Sequence, residues 1–133
     1  MMSKKLINPE ELYDGSAFGL SQAVLEPNSK LVFISGQVDW NHQFEVTSHS
    51  VEGQFKKALE NLSIALNASN SSIENLLQVR IYIKGELGDH LNVVGPLLAE
   101  YLGSSRPAVT GIGVASLASP DILVEIEAMA ISA

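Results

Sequence analysis

Apolar positions recur along this chain with two different periods, and the switches between them predict the order of its elements. Val51, Phe55, Ala58, Leu59, Leu62, Ala65 and Leu66 fall at i, i+4, i+7, i+8, i+11, i+14 and i+15. That spacing places them on one face of an amphipathic helix, with Lys56, Lys57, Glu60 and Asn67 largely on the other. The polar run Asn67 to Ser72 ends the helix, and Ser71-Ser72-Ile73-Glu74 has the form of a capping box that starts a short helical turn. Residues 77–84 change to period two: Leu77, Val79, Ile81 and Ile83 point one way and Gln78, Arg80, Tyr82 and Lys84 the other, which predicts a strand with one dry face.

Before the first helix, residues 18–25 and 31–38 suit two strands joined at Pro27-Asn28-Ser29, a hairpin. Residues 1–15, with Pro9 and the Asp14-Gly15 pair, are expected to be an irregular lead-in, and the polar stretch 39–49 is expected to be a loop. After a break at Gly85 to Gly88, residues 89–102 predict a second helix that Gly95-Pro96 should kink or restart. Residues 107–116 and 122–132 predict two more strands, connected by the turn Ala118-Ser119-Pro120-Asp121. The order β-β-α-β-α-β-β contains no repeat and no linker, so residues 1–133 are read as one domain. About six strands and two helices predict an α+β two-layer sandwich with both helices on one face of a mixed sheet. The other face carries Arg80, Tyr82, Glu125 and Glu127 among aliphatics, too apolar for open water and too polar for a closed core, which predicts subunit association around it.

Composition narrows the function. A chain of 133 residues is long enough to bury roughly 68% of its unfolded surface without covalent staples. Only 17% of its residues are charged, a lean surface that also suits association. The net charge is −7, and Arg80 and Arg106 are the only arginines, so binding to a phosphate backbone is not expected. No cysteine is present, which removes disulfides, thiolate nucleophiles and Cys-ligated metals. The segment MMSKKLINPEE lacks the apolar run of a secretory signal, and no stretch is long and apolar enough to span a membrane. The expected compartment is the cytoplasm.

Few residues carry chemistry. His42 and His49 share one polar loop and His90 starts a helix; all three are read as surface residues, and no metal or cofactor is implied. Gly111-Ile112-Gly113 sits in a strand pattern with no helix after it, so it marks a bulge or a close approach by a ligand or another backbone. Ser35-Gly36-Gln37 closes a strand, and its glycine can leave backbone N–H groups facing a cleft. Trp40, which follows, suits core filling and a cleft wall equally. Glu125 and Glu127 share one strand face with Leu123, Met129 and Ile131. On a solvent face the pair would be a solvated edge; the apolar neighbours favour a cleft or an interface, where a carboxylate can hold and activate a water.

These segments together resemble the RidA/YjgF family, also called L-PSP endoribonucleases. Leu20-Ser21-Gln22-Ala23-Val24, Phe33-Ile34-Ser35-Gly36-Gln37, Gln54 with Ala58-Leu59-Glu60-Asn61-Leu62, Arg106-Pro107-Ala108 and Glu125-Ile126-Glu127-Ala128 follow the family's motifs in collinear order over nearly the whole chain. The resemblance implies a chorismate-mutase-like fold and a homotrimer with ligand clefts between subunits. It also implies hydrolysis of enamines and imines such as 2-aminoacrylate without a cofactor. Glu125 matches the glutamate that positions water. The arginine that grips the substrate carboxylate falls on Val109, a cysteine on Gly111, an aromatic on Leu20, and a helix asparagine on Val94. Loss of that arginine should weaken a carboxylate-bearing ligand by roughly 10- to 150-fold. The expected function is therefore a trimeric small-molecule protein that hydrolyses a neutral or hydrophobic imine, with little activity on 2-aminoacrylate. The alternative is a non-catalytic binding or interaction protein on the same scaffold, and an endoribonuclease ranks last.

Overall fold

The computed structural model describes residues 3–133. Its elements are β1 (Lys5–Ile7), β2 (Ala23–Glu26), β3 (Leu31–Gln37), α1 (Val51–Ala68), β4 (Leu76–Lys84), α2 (Leu91–Leu102), β5 (Ala108–Val114) and β6 (Val124–Ile131). The strands form one sheet in the order β1-β2-β3-β6-β4-β5. Only β4 and β5 run parallel, and α2 is their crossover, as a parallel pair requires. This is the α+β sandwich that the pattern predicted.

Burial follows the two periods. The α1 residues Phe55, Ala58, Leu62 and Ala65 are fully buried, and they pack on the sheet face made by Val32, Val79, Ile83, Val124 and Ile126. Ser50 caps α1, its hydroxyl accepting from the Gly53 N–H at 3.0 Å. Along β6 the even positions are buried, while Glu125, Glu127 and Met129 lie half-exposed on the far face, so the two glutamates do share a face.

The structure departs from the pattern at several points. β1 lies inside the predicted lead-in: three residues pair with β2, Lys5 opposite Leu25 and Ile7 opposite Ala23, a stretch too short to show a period. Residues 16–18 form a 3₁₀ turn, and β2 starts at Ala23, because Gly19 at φ 74° reverses the chain first. Leu77 does not share the core with Val79. The register slips between Leu76 and Gln78, a bulge that turns Leu76 inward and leaves Leu77 exposed. The expected capping box does not form, since Ser72 makes no side-chain cap and the Ser71 hydroxyl donates to the Ile131 carbonyl at 2.7 Å. Pro96 does not restart α2, which is continuous. Finally, β5 and β6 follow each other in sequence but do not pair, because β4 lies between them.

Candidate functional site

The site grows from an irregularity in β3. Its register against β6 shifts between Ile34 and Gln37, so Ser35 and Gly36 occupy a bulge, a feature that re-aims side chains at sheet ends. The Ser35 hydroxyl donates to the Ser21 carbonyl at 2.6 Å, and the Ser35 N–H donates to the Gln22 carbonyl at 2.9 Å. Beneath them two fully buried glutamines meet: Gln37 Nε2 donates to Gln22 Oε1 and to the Ser35 carbonyl, each at 3.0 Å, while Gln22 Nε2 donates to the Tyr13 carbonyl at 2.8 Å. The glutamines of the S-Q-A-V and S-G-Q segments thus fasten the floor of the site. Buried amides of this kind stay only where their hydrogen bonds are made.

Glu125 lies on this floor. A β-carbon added to Gly36 would collide with the Glu125 carboxyl group, so glycine here permits a close approach of backbone to carboxylate. Burial pushes the Glu125 carboxyl above the ordinary carboxylate range, and the nearby Glu127 charge pushes it the same way. Glu127 is paired: the Tyr82 hydroxyl donates to its Oε1, Arg80 Nη1 stands 3.7 Å away, and with Arg80, Phe33 and Met129 it borders a separate, smaller hollow. The two carboxylates are therefore unequal, one beside a cation and one turned to an aromatic hollow.

That hollow, about 430 Å³, is lined by Glu125, Ser35, Gly36, Leu20, Val38, Ala118 and the aromatics Tyr13, Phe18 and Trp40. The aromatic wall is built from edge-on contacts: Tyr13 and Trp40 at 5.3 Å, Trp40 and Phe44 at 5.3 Å, Phe18 and Phe44 at 5.6 Å, geometries the ring quadrupole favours. Phe44 is placed by a turn in which Asn41 Oδ1 accepts the N–H groups of Gln43 and Glu45 at 2.9 and 3.0 Å. At φ 60° it holds a left-handed conformation unfavourable for an aromatic residue. Behind Trp40, the buried Asp39 accepts from the Thr47 N–H, the Thr47 hydroxyl and the Ser48 N–H at 2.9, 2.6 and 2.8 Å. Gln54 and Asn61 tie the helix to the same region: Gln54 Nε2 donates to the Asp121 carbonyl at 2.8 Å and Asn61 Nδ2 to the Val38 carbonyl at 2.9 Å.

Of the residues expected to form the site, Glu125, Leu20, Ser35 and Gly36 meet in this cavity. Gln37 does not line it; it is buried beneath, holding Gln22. Val94 does not line it either, since its place on the inner side of α2 puts it in the helix–sheet core. Val109 and Gly111 lie on the edge strand β5, paired with Val79 and Ile81, with β4 between them and β6, so within one chain they are remote from Glu125. Gly113 marks a close backbone approach, its missing β-carbon leaving room for the Gly85 carbonyl. The sequence reading did not place Tyr13, Phe18, Val38 or Ala118 at the site. Trp40, which it left between core and cleft, is a cleft wall. Among the described residues no group of three or more His, Cys, Asp or Glu side chains is arranged to hold a metal ion, and no helix is long and apolar enough to cross a membrane.

This fold and its motif-built floor agree with the sequence relatives. The profile of the endoribonuclease L-PSP family matches residues 15–132, and the chain belongs to this family, the RidA/YjgF family. It is 32% identical over 83% of its length to a RutC family protein of Pyrococcus horikoshii, covering 84% of that protein. It is 28% identical over 77% of its length to the mitochondrial protein MMF1 of Saccharomyces cerevisiae, covering 68% of it. A crystal structure of a conserved Rid protein family member from Yersinia pestis superposes with a TM-score of 0.71 at 32% identity, covering 98% of this chain and 99% of that one.

Proposed function

We propose that this protein hydrolyses a carboxylate-free, hydrophobic imine in the Glu125 cavity, as a cytoplasmic homotrimer whose subunits complete one another's clefts. One observation carries the reading: a half-buried carboxylate stands in an apolar and aromatic hollow whose lining includes no Lys, Arg or His. An α-imino acid would bring its own carboxylate beside Glu125 with no cation to receive it, an unfavourable burial of like charges. An apolar imine meets no such penalty.

In this reaction Glu125 takes a proton from water as the oxygen bonds to the imine carbon and passes it to the imine nitrogen, giving a neutral carbinolamine. It then takes the hydroxyl proton and delivers it to the amino nitrogen as the C–N bond breaks, the C–O bond becomes a carbonyl, and the carbonyl compound and ammonia leave. The raised proton affinity of Glu125 suits a group that must both accept and donate. The subunit arrangement is supported by the exposed Phe33 and Ile131 on the open sheet face, 45% and 40% accessible, and by the exposed Val109 on edge strand β5. A neighbouring subunit would be the means of bringing Val109 and Gly111 to the cavity. The −7 charge and the cation-free lining weigh against an endoribonuclease.

The test is ammonia release from a panel of imines, wild type against Glu125→Gln. Turnover that falls at least about 100-fold in the variant supports the reading. If no imine is turned over by the wild type, the alternative of a binding protein on this scaffold replaces it.

A further inference from the structure

The cavity combines two features that each attract positive charge. Glu125 supplies a carboxylate at its floor, and Tyr13, Phe18 and Trp40 supply aromatic surface on its walls. A ring face is attractive to a cation, most strongly for Trp. The remaining lining side chains, Leu20, Ser35, Val38 and Ala118, are uncharged, as are Val109 and Gly111. Glu127, the second carboxylate of the strand, lies close enough to act on Glu125, while Arg80 and the Tyr82 hydroxyl are engaged with Glu127. Positive charge entering the hollow therefore meets no competing cation in its lining.

We infer that the cavity selects an organic monocation, an alkyl- or arylalkyl-ammonium or the iminium form of an imine, held between the aromatic wall and the Glu125 carboxylate. The inference rests on the reading of this hollow as the ligand site, and it names the charge and class of the ligand. A ring or branched alkyl group would lie against Trp40 and Phe18, with the nitrogen toward Glu125. At about 430 Å³ the hollow is in the range of small-molecule sites. An iminium bound this way is also the more electrophilic form for attack by water.

The test uses three ligands of one shape at pH 8: benzylamine, which is cationic, benzyl alcohol, which is neutral, and phenylacetate, which is anionic. Binding is read by calorimetry and by fluorescence of Trp40, the only tryptophan. Benzylamine is expected to bind roughly tenfold or more tightly than benzyl alcohol and to perturb Trp40, with phenylacetate weakest. Glu125→Gln should reduce benzylamine to the level of the alcohol. Phe18→Leu, at a 63% exposed position where folding is not at stake, should weaken benzylamine severalfold. Equal binding of amine and alcohol, tighter phenylacetate, no binding of any of the three, or a preference unchanged in Glu125→Gln overturns the inference. Absence of imine turnover would leave this order of affinities intact, and loss of the order with turnover retained would defeat the cation inference alone.

Discussion

The Glu125 carboxyl group rests on the backbone of Gly36, in the space a β-carbon would fill. The side chain from β6 that we propose acts on the imine is thereby positioned by a bulge in β3. Gly36→Ala should push the carboxylate away from the floor, costing about 1 to 3 kcal/mol through overpacking and about tenfold or more in imine turnover. Thermal unfolding and steady-state kinetics on the same preparation check both. An unchanged rate would mean that the contact does not position Glu125.

Glu125 is held in a place that disfavours its charge. Its folded-state proton affinity is raised by burial and by Glu127, so the folded chain holds the proton more tightly than the unfolded one. This stabilising contribution is complete below the unfolded value and is lost as pH rises through the folded one. Glu125→Gln should therefore raise the melting temperature at pH 8 by about 2 to 4 °C, with the difference vanishing near about pH 4. Melting curves across that range decide it; a variant less stable at pH 8 contradicts the cause given.

Glu127 acts on Glu125 at a distance while paired to Tyr82 and Arg80. Removing its charge in Glu127→Gln should lower the pH at which Glu125 titrates, and the acid limb of the activity profile should move down with it. Carboxyl chemical shifts followed through a pH titration measure this directly. An unchanged titration would show that burial alone sets the Glu125 value.

The Gln22–Gln37 pair is a structural counterpart to these charges. Gln37→Leu leaves the fully buried Gln22 Oε1 without its Gln37 donor and should destabilise by about 1 to 3 kcal/mol. Chemical denaturation measures it. The double replacement Gln22→Leu/Gln37→Leu should cost less than the sum of the two single ones, because each single change orphans the other amide.

Much of the fold was readable because its periods are long. Seven apolar positions defined α1, and the alternation in residues 79–84 defined most of β4. What escaped was local or topological. Leu77 broke the alternation through a bulge that period two does not encode, and β5 and β6 are neighbours in sequence but not in the sheet. At the site, Glu125 and Gly36 stood out because a carboxylate in an apolar strand and a glycine at a strand end both need a reason. Tyr13 and Phe18 carried no such signal, and Trp40 suited core and cleft equally. They reach the cavity from three separate loop or turn positions that only the folded chain brings together. Gln37, a motif match, and Val94, where the resemblance puts an asparagine, show the converse: positions expected at the cleft whose side chains are buried in the protein.

The most direct measurement compares benzaldimine, generated by an amine oxidase from benzylamine, with the imino acid generated by an amino-acid oxidase from phenylglycine. These substrates share a ring conjugated to the imine and differ in their carboxylate. The protein should accelerate ammonia release from benzaldimine with a kcat/KM at least about tenfold above that for the imino acid, and Glu125→Gln should abolish the acceleration. Faster hydrolysis of the imino acid would contradict the claim that this cavity is built for a ligand without a carboxylate.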